Sequence, residues 1–183
     1  MIIWIVLGLI ALLVFWVVAI YNRLVKNRQL VEEGWSGIDV QLKRRHDLIP
    51  NLVETVKGYA KHEEGVLTKV VELRNSATKA QSAGEKAPIE NQLTQTLRQL
   101  FALAEAYPDL KANQNFQDLQ NQIAMIEEQL QLARRYYNGT ARDNNILVQS
   151  FPSNIIARTF GFAQAEYFEI ELEAERATPQ VQF

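Results

Sequence analysis

The sequence contains no cysteine, only two histidines, and no lysine or arginine before position 23. The lack of cysteine excludes a disulfide scaffold, a thiolate metal site, a cysteine nucleophile and a lipid-modified cysteine. The eight glycines are scattered and form no phosphate-binding loop. The formal net charge of −2 over 183 residues gives no general attraction to nucleic acid.

Charge is also missing from the first twenty residues, of which only Gly8 is not hydrophobic. About 20 apolar residues in a helix cross the ~30 Å hydrocarbon core of a bilayer. A cleaved signal would begin with positive charge and end in a small-residue cleavage site, and this segment has neither feature. Residues 1–22 are therefore predicted to be a transmembrane anchor. The predicted anchor residues, with aromatic side chains near both ends, are Ile2, Ile3, Trp4, Trp16, Ile20 and Tyr21.

Three basic residues follow the apolar segment, namely Arg23, Lys26 and Arg28. The positive-inside rule places the region that carries such residues in the cytoplasm. We therefore expect a single-pass protein of the plasma membrane, with its C-terminal region in the cytoplasm.

The rest of the sequence has the periodicity of packed helices. Apolar residues recur in steps of four, three and four from Val31 to Leu42, which is typical of a helix that packs against other helices. No helix breaker separates this pattern from the anchor, so one helix is predicted from the membrane to about Arg45. Pro50 lacks an amide hydrogen, and a kink or a restart of the helix is predicted there.

Further helical patterns follow in the rest of the sequence. A polar stretch over residues 78–87 is predicted to be a loop, and Pro108 is predicted to follow a helix that ends near Ala104. A long pattern then leads from Phe116 towards Leu147. The predicted fold is all-α, with an N-terminal transmembrane helix continuing into an antiparallel bundle of three or four helices. The bundle is expected over residues 23–170, followed by a flexible tail over residues 171–183.

A search for catalytic or metal-binding patterns finds none. His46 and His62 are sixteen residues apart, and His62-Glu63-Glu64 lacks the second histidine of a zinc-binding helix. The sequence has no motif of a serine nucleophile. We therefore predict no catalytic, cofactor-binding or metal-binding residues, no cofactor and no enzymatic activity. Two pairs at helical spacing, Arg28 with Glu32 and Asp39 with Lys43, are expected as surface ion pairs.

Two basic runs, residues 43–45 and 134–135, are short for a nucleic-acid site, and the chain has a net negative charge. The first run lies ~35 Å beyond the anchor along a straight helix. That distance exceeds the screening length of ~8 Å, so lipid headgroups would not attract it. Partner binding or pairing within the chain is the expected role of both runs.

Several runs, in this order, resemble the signature of the bacterial LemA family. They are Tyr21-Asn22-Arg23-Leu24-Val25, Trp35-Ser36-Gly37-Ile38-Asp39, Asp47-Leu48-Ile49-Pro50-Asn51-Leu52-Val53, Ala133-Arg134-Arg135-Tyr136-Tyr137-Asn138 and Tyr167-Phe168-Glu169. The resemblance implies a helical bundle in the bacterial inner membrane, with one membrane helix and no assigned reaction. Two departures stand out: Gly34, where alanine is common and which should loosen the first helix, and Asn144-Asn145, where a tyrosine would precede the asparagine.

The residues that we single out for packing or for a partner surface are Asp39, Lys43, Arg44, Arg45, Pro50, Asn51, Arg134, Arg135 and Asn138. The polar residues Asp39, Asn51, Asn138 and Asn154 are expected either to form a network that fixes helix register or to contact a partner. The predicted function is a non-enzymatic scaffold that self-associates as a homo-oligomer at the bilayer of the bacterial inner membrane. The alternative is an adaptor subunit that binds another membrane protein, such as a protease or a transporter.

Overall fold

The structure, a computed structural model, describes residues 1–60 and 63–169, and every regular element in these ranges is a helix. The predicted all-α class is confirmed. The helices are α1 (Ile2–Lys57), α2 (Glu64–Lys79), α3 (Ala83–Ala104), α4 (Pro108–Lys111), α5 (Gln114–Gln149) and α6 (Ser153–Thr159). The predicted limits of the anchor and the bundle stay predictions, and the predicted tail, residues 171–183, lies outside the described residues.

The first helix is continuous from the apolar N-terminal segment, as predicted. Of the two alternatives predicted at Pro50, a kink or a restart, the restart is wrong, because α1 contains Pro50 and ends only at Lys57. Proline removes the amide that would donate to the carbonyl of His46. The Arg74 Nε of α2 lies 3.4 Å from that carbonyl and donates to it instead. A side chain from a neighbouring helix thus satisfies the acceptor that proline leaves open.

The loop predicted over residues 78–87 is also wrong, since only residues 80–82 separate α2 from α3. The Ser82 side chain accepts a hydrogen bond of 3.2 Å from the Glu85 amide at the start of α3. The Glu85 carboxylate in turn accepts a hydrogen bond of 3.0 Å from the Gln81 amide. This Ser-x-x-Glu arrangement starts a helix where the polar composition indicated a loop.

The described residues fall into two compact units. Unit 1 consists of Met1–Ile38 and Leu132–Tyr167, and unit 2 of the described residues of Asp39–Gln131 together with Phe168 and Glu169. The two long helices, α1 and α5, each contribute residues to both units.

Unit 2 is a helical bundle around one apolar core. The last turns of α1, the helices α2, α3 and α4, and the first half of α5 supply its residues, which within the longer helices recur in the predicted steps of three and four. The fully or almost fully buried members include Ile49, Leu52, Val56, Val70, Leu93, Leu97, Leu100, Leu110, Phe116 and Ile123.

Unit 1 is built on an antiparallel contact between α1 and α5. Gly34 of α1 lies against Tyr137 of α5. Ten residues earlier in α1 and ten residues later in α5, Leu24 packs in one cluster with Leu147. Gly34 is buried, and a Cβ atom placed on it would lie 3.1 Å from the Cα of Tyr137. Glycine at this position therefore permits the close approach of the two helix backbones.

Alanine at Gly34 is expected to give no gain in stability, whereas alanine at the exposed Gly37 should raise the free energy of unfolding by about 0.5–1 kcal/mol. A Cβ on Gly37 meets nothing within 4 Å, but a Cβ on Gly34 meets the α5 backbone. Chemical denaturation of the detergent-solubilised full chain compares the two variants. An equal gain from both would show that Gly34 has no packing role.

Candidate functional site

The N-terminal part of α1 leaves its apolar side chains exposed. Its first twenty residues include the predicted anchor residues, and α1 is long and apolar enough to cross a membrane. Ile2, Ile3, Trp4 and Trp16 are exposed, and Ile20 is half-buried. A helix of the soluble core would have these side chains buried, so the exposure agrees with the predicted anchor.

The basic residues that follow this segment are also exposed. The predicted pair of Arg28 and Glu32 is confirmed, with a closest N–O distance of 3.8 Å. The Arg28 guanidinium also lies over the ring of Phe162, 5.4 Å from its centroid. The residue is therefore part of unit 1 as well as a candidate determinant of topology.

An apolar cluster joins the end of the predicted anchor to α6. Tyr21 contacts Phe160 and Phe162 edge-on, with centroid distances of 5.0 Å and 5.6 Å. The buried residues beside these rings are Leu24, Leu147, Ile156, Ala157 and Phe162, and Val17 and Ile20 pack against them. The last turn of the predicted anchor is thus in contact with the C-terminal part of unit 1.

An extended segment, residues 161–167, lies along α5 and is here called the strap. Asn145 makes two hydrogen bonds to the strap. Its side-chain NH₂ group donates to the Ala165 carbonyl at 2.9 Å, and its side-chain oxygen accepts from the Ala165 backbone amide at 2.7 Å. The strap begins at Gly161, whose φ of +72° is one that glycine readily adopts. Further bonds from α5 side chains to the strap join Tyr137 to the Glu166 carbonyl, Asn144 to the Ala163 carbonyl and Gln149 to Gln164.

The strap gives the two unusual asparagines of the sequence a role. Where the family resemblance led us to expect tyrosine, Asn144 uses its amide to donate to the strap at 3.2 Å. An aromatic contact is supplied elsewhere in unit 1, by Trp35 and Tyr137, whose centroids are 5.5 Å apart. Burial, with a further contribution from the charge of Glu166, raises the pKa of the Tyr137 hydroxyl, so this donor stays protonated.

A group of charged residues, the buried ion network, lies inside unit 2. Arg45 of α1 is fully buried, and its guanidinium pairs with Glu90 of α3 and Glu127 of α5. Arg45 Nη1 also donates to the Thr94 hydroxyl at 2.7 Å. The planar guanidinium can serve three acceptors at once because its donors point in fixed directions.

Histidine completes the network on the side of Glu90. His46 Nε2 lies 2.9 Å from Glu90 Oε1, at ion-pair distance but without aligned hydrogen-bond geometry. Burial alone raises the pKa of the Glu90 carboxyl, but contact with His46 and the charge of Arg45 outweigh burial and hold the pKa below its usual value. Glu90 is therefore ionised and balances the charge of Arg45.

Two members of the buried ion network are closed to solvent. The side chains of Arg45 and Glu90 are fully buried, so a substrate could not reach them. Among the described residues, no group of three or more histidine, aspartate or glutamate side chains is placed to hold a metal ion. His62 lies outside the described residues.

The structure separates the other predicted residues of the first basic run. The predicted pair of Asp39 and Lys43 is wrong, because Lys43 pairs with Asp47 at 3.0 Å and Asp39 pairs with Lys86 at 2.7 Å. Both Asp39 and Asn51 are exposed, so they do not form a buried network that fixes register. Of the remaining candidates, Arg44, Pro50 and Arg135 are exposed, Arg134 is buried, and Asn138 and Asn154 are half-buried.

Sequence reasoning missed Glu90 and Glu127 as partners of Arg45. A signal was present for Arg45, which replaces an apolar residue in the helical pattern of α1. Arg45 lies three residues after Leu42 and four before Ile49. A charged residue at such a position must find a counter-charge on a facing helix.

Comparisons with known proteins agree with the resemblance. The sequence model of the LemA family matches residues 34–183. Protein LemA of Metamycoplasma hominis is 25% identical over 157 residues, which cover 85% of this chain and 71% of the relative. Magnetosome proteins MamQ 1 and MamQ 2 of Paramagnetospirillum magneticum are each 24% identical over 178 residues, which cover 81% of this chain and 64% of the relative. The chain therefore spans less than two thirds of the length of these MamQ relatives.

Proposed function

The chain belongs to the LemA family, and on that premise we propose that it is a non-enzymatic scaffold that self-associates in a bacterial inner membrane. In this proposal α1 is a single-pass anchor. The exposed Arg23, Lys26 and Arg28 keep the C-terminal region in the cytoplasm. Copies of unit 1 then meet side by side in the plane of the membrane.

The observation that supports self-association is an exposed apolar stripe on α5 of unit 1. Leu132, Tyr136 and Ile146 are 51%, 47% and 54% exposed. At about 100° per residue their side chains fall within roughly 80° of one another around the helix. Gly139 lies in the same stripe, and a Cβ on it would meet nothing within 4 Å. A second helix could therefore approach closely along this face.

Anchoring strengthens this arrangement. Copies held in one membrane with the same orientation present the stripe at the same height, and confinement raises their effective concentration. A weak apolar contact between helices is then enough to populate an oligomer. The second copy is thus the occupant that we propose for the stripe.

Single-cysteine crosslinking tests the proposal, since the chain has no cysteine of its own. In native membranes, the full-length Leu132→Cys and Ile146→Cys variants are expected to form disulfide-linked dimers on mild oxidation. Glu33→Cys is the matched control, because Glu33 is an exposed polar residue on α1 of the same unit. Dimers at Glu33 equal to those at Leu132 and Ile146, or no dimers at all, would contradict the stripe as the interface.

The adaptor function remains the second candidate because unit 2 has an apolar groove. The groove has a volume of about 540 Å³ and lies between α1 and α2, where its lining includes Val53, Lys57, Leu67 and Val71. An apolar segment of another membrane protein could bind there. Crosslinking that yields only adducts with a different protein, from a Val71→Cys variant, would favour the adaptor over the scaffold.

A further inference from the structure

Three large apolar side chains around α6 are exposed although they lie outside the predicted anchor. Phe151, Ile155 and Phe160 are 80%, 59% and 56% exposed. They are separate from the stripe on α5. We call residues 151–160, which contain all three, the α6 corner. The three side chains lie within ten residues of one another in the chain, and exposed apolar surface usually marks an interaction site.

The packing of unit 1 fixes the height of the α6 corner along α1. Between the contact of Gly34 with Tyr137 and that of Leu24 with Leu147, α1 and α5 each advance by ten residues. The two helices therefore cover the same length between these contacts. The end of α5 thus lies level with the end of the apolar segment, near Ile20. Phe151 follows two residues after the end of α5.

Direct contacts give the same height. The Phe160 ring is 5.0 Å from the Tyr21 ring, and Ile20 packs against the cluster that contains Ile156 of α6. The two ends of the α6 corner, Phe151 and Phe160, thus lie at the level of the last turn of the predicted anchor.

A membrane interface accepts the side chains found at this height. Aromatic residues are enriched at the level of the lipid headgroups, and basic residues extend towards the phosphates while their apolar stems stay among the acyl chains. The α6 corner carries the exposed Arg158, and Arg23 follows the anchor at the same level. Exposed apolar side chains beside an exposed basic residue are typical of a segment that lies in the interface.

We propose that the α6 corner inserts Phe151, Ile155 and Phe160 into the interfacial layer of the bilayer that α1 crosses. This proposal rests on the anchoring role of α1. It gives unit 1 a second attachment to the membrane, formed more than a hundred residues after the first one in the sequence. The occupant of the apolar surface is lipid.

Depth measurement with brominated lipids tests the proposal. Trp4, Trp16 and Trp35 are first replaced by phenylalanine in the full chain. Phe151→Trp or Ile155→Trp is then added, and the protein is placed in vesicles of phosphatidylcholine and phosphatidylglycerol with brominated acyl chains. We expect several-fold stronger quenching of these two variants than of a Leu132→Trp control. Leu132 is exposed to a similar extent but lies about 25 Å farther along α5.

A variant that keeps only Trp16 reports on the anchor itself. If Trp16 is quenched but both corner variants behave like the Leu132→Trp control, the α6 corner does not touch lipid and this inference is overturned, while the anchor stands. If Trp16 is not quenched, the anchoring role fails, and the inference fails with it. Two corner positions are used so that local misfolding at one of them, detected by circular dichroism, does not decide the result.

Discussion

Replacing Arg45 by methionine is expected to lower the free energy of unfolding by about 3–5 kcal/mol, the range for removing one partner of a buried ion pair. The Glu90 carboxylate is fully buried and pairs with Arg45. Without the guanidinium, the carboxylate keeps His46 as a neighbour, with Nε2 2.9 Å from Oε1. Chemical denaturation of the detergent-solubilised full chain, followed by circular dichroism, measures the change.

The neighbouring Arg44 supplies a matched control. It is exposed, so Arg44→Met should change the stability by less than about 0.5 kcal/mol. A double variant, Arg45→Met with Glu90→Leu, should recover most of the loss, because it removes both buried charges together. If Arg45→Met were as mild as Arg44→Met, the ion network would contribute nothing to the fold.

The network also offers a reason why the helices of unit 2 have one alignment. Arg45, Glu90 and Glu127 come from three different helices and meet at one level. A slip of any helix by one turn would leave a charge among leucine and isoleucine side chains, which is strongly unfavourable. The register role that the sequence suggested for Asp39 and Asn51 is therefore better assigned to these buried residues.

The sequence was most informative where structure depends on local periodicity. The steps of three and four from Val31 onward predicted the packed face of α1, and those from Phe116 predicted α5, because a buried stripe on a helix repeats at that spacing. The Ser82-x-x-Glu85 pattern is also local, and it is typical of a helix start. The prediction of a loop over residues 78–87 from polar composition missed it.

Local periodicity does not predict contacts between segments that are distant in the sequence. Arg45 is part of a run of three basic residues, but consecutive side chains on a helix point about 100° apart. Arg45 is therefore buried, while the other two residues of the run, Lys43 and Arg44, are exposed. Which acids Arg45 meets depends on how α1, α3 and α5 pack. The strap was equally hidden, because an extended segment held by single side chains has no repeating pattern.

A second large effect is expected at the strap, from Asn145→Leu. Asn145 makes two hydrogen bonds to the backbone of Ala165. Leucine can make neither of them, and it leaves an amide and a carbonyl of a half-buried residue without partners. At about 1 kcal/mol for each bond, with an added cost for unpaired groups, the expected loss is about 2–3 kcal/mol.

Hydrogen exchange at the Ala165 amide gives a direct readout, since this amide donates to Asn145 Oδ1. A local loss of 1.4 kcal/mol corresponds to about tenfold faster exchange, so Asn145→Leu should accelerate it more than tenfold. Gln149→Leu is the control, because Gln149 contacts the same strap through an exposed bond to Gln164 and should change the exchange little. Asn145→Asp keeps the acceptor but loses the donor, so its effect should lie between the two.

The comparison of these variants separates two explanations for the position of the strap. If α6 and its apolar cluster alone placed the strap, removing the Asn145 side chain would leave exchange at Ala165 unchanged. If the strap depends on its bonds to α5, exchange should follow the number of bonds lost to the strap backbone, which is none for Gln149→Leu, one for Asn145→Asp and two for Asn145→Leu. Because the bonds of Tyr137, Asn144 and Asn145 each join a side chain to a backbone group of the strap, we expect the second outcome. The half-buried Ala165 has its amide and carbonyl paired by Asn145, and buried backbone groups of this kind need such partners.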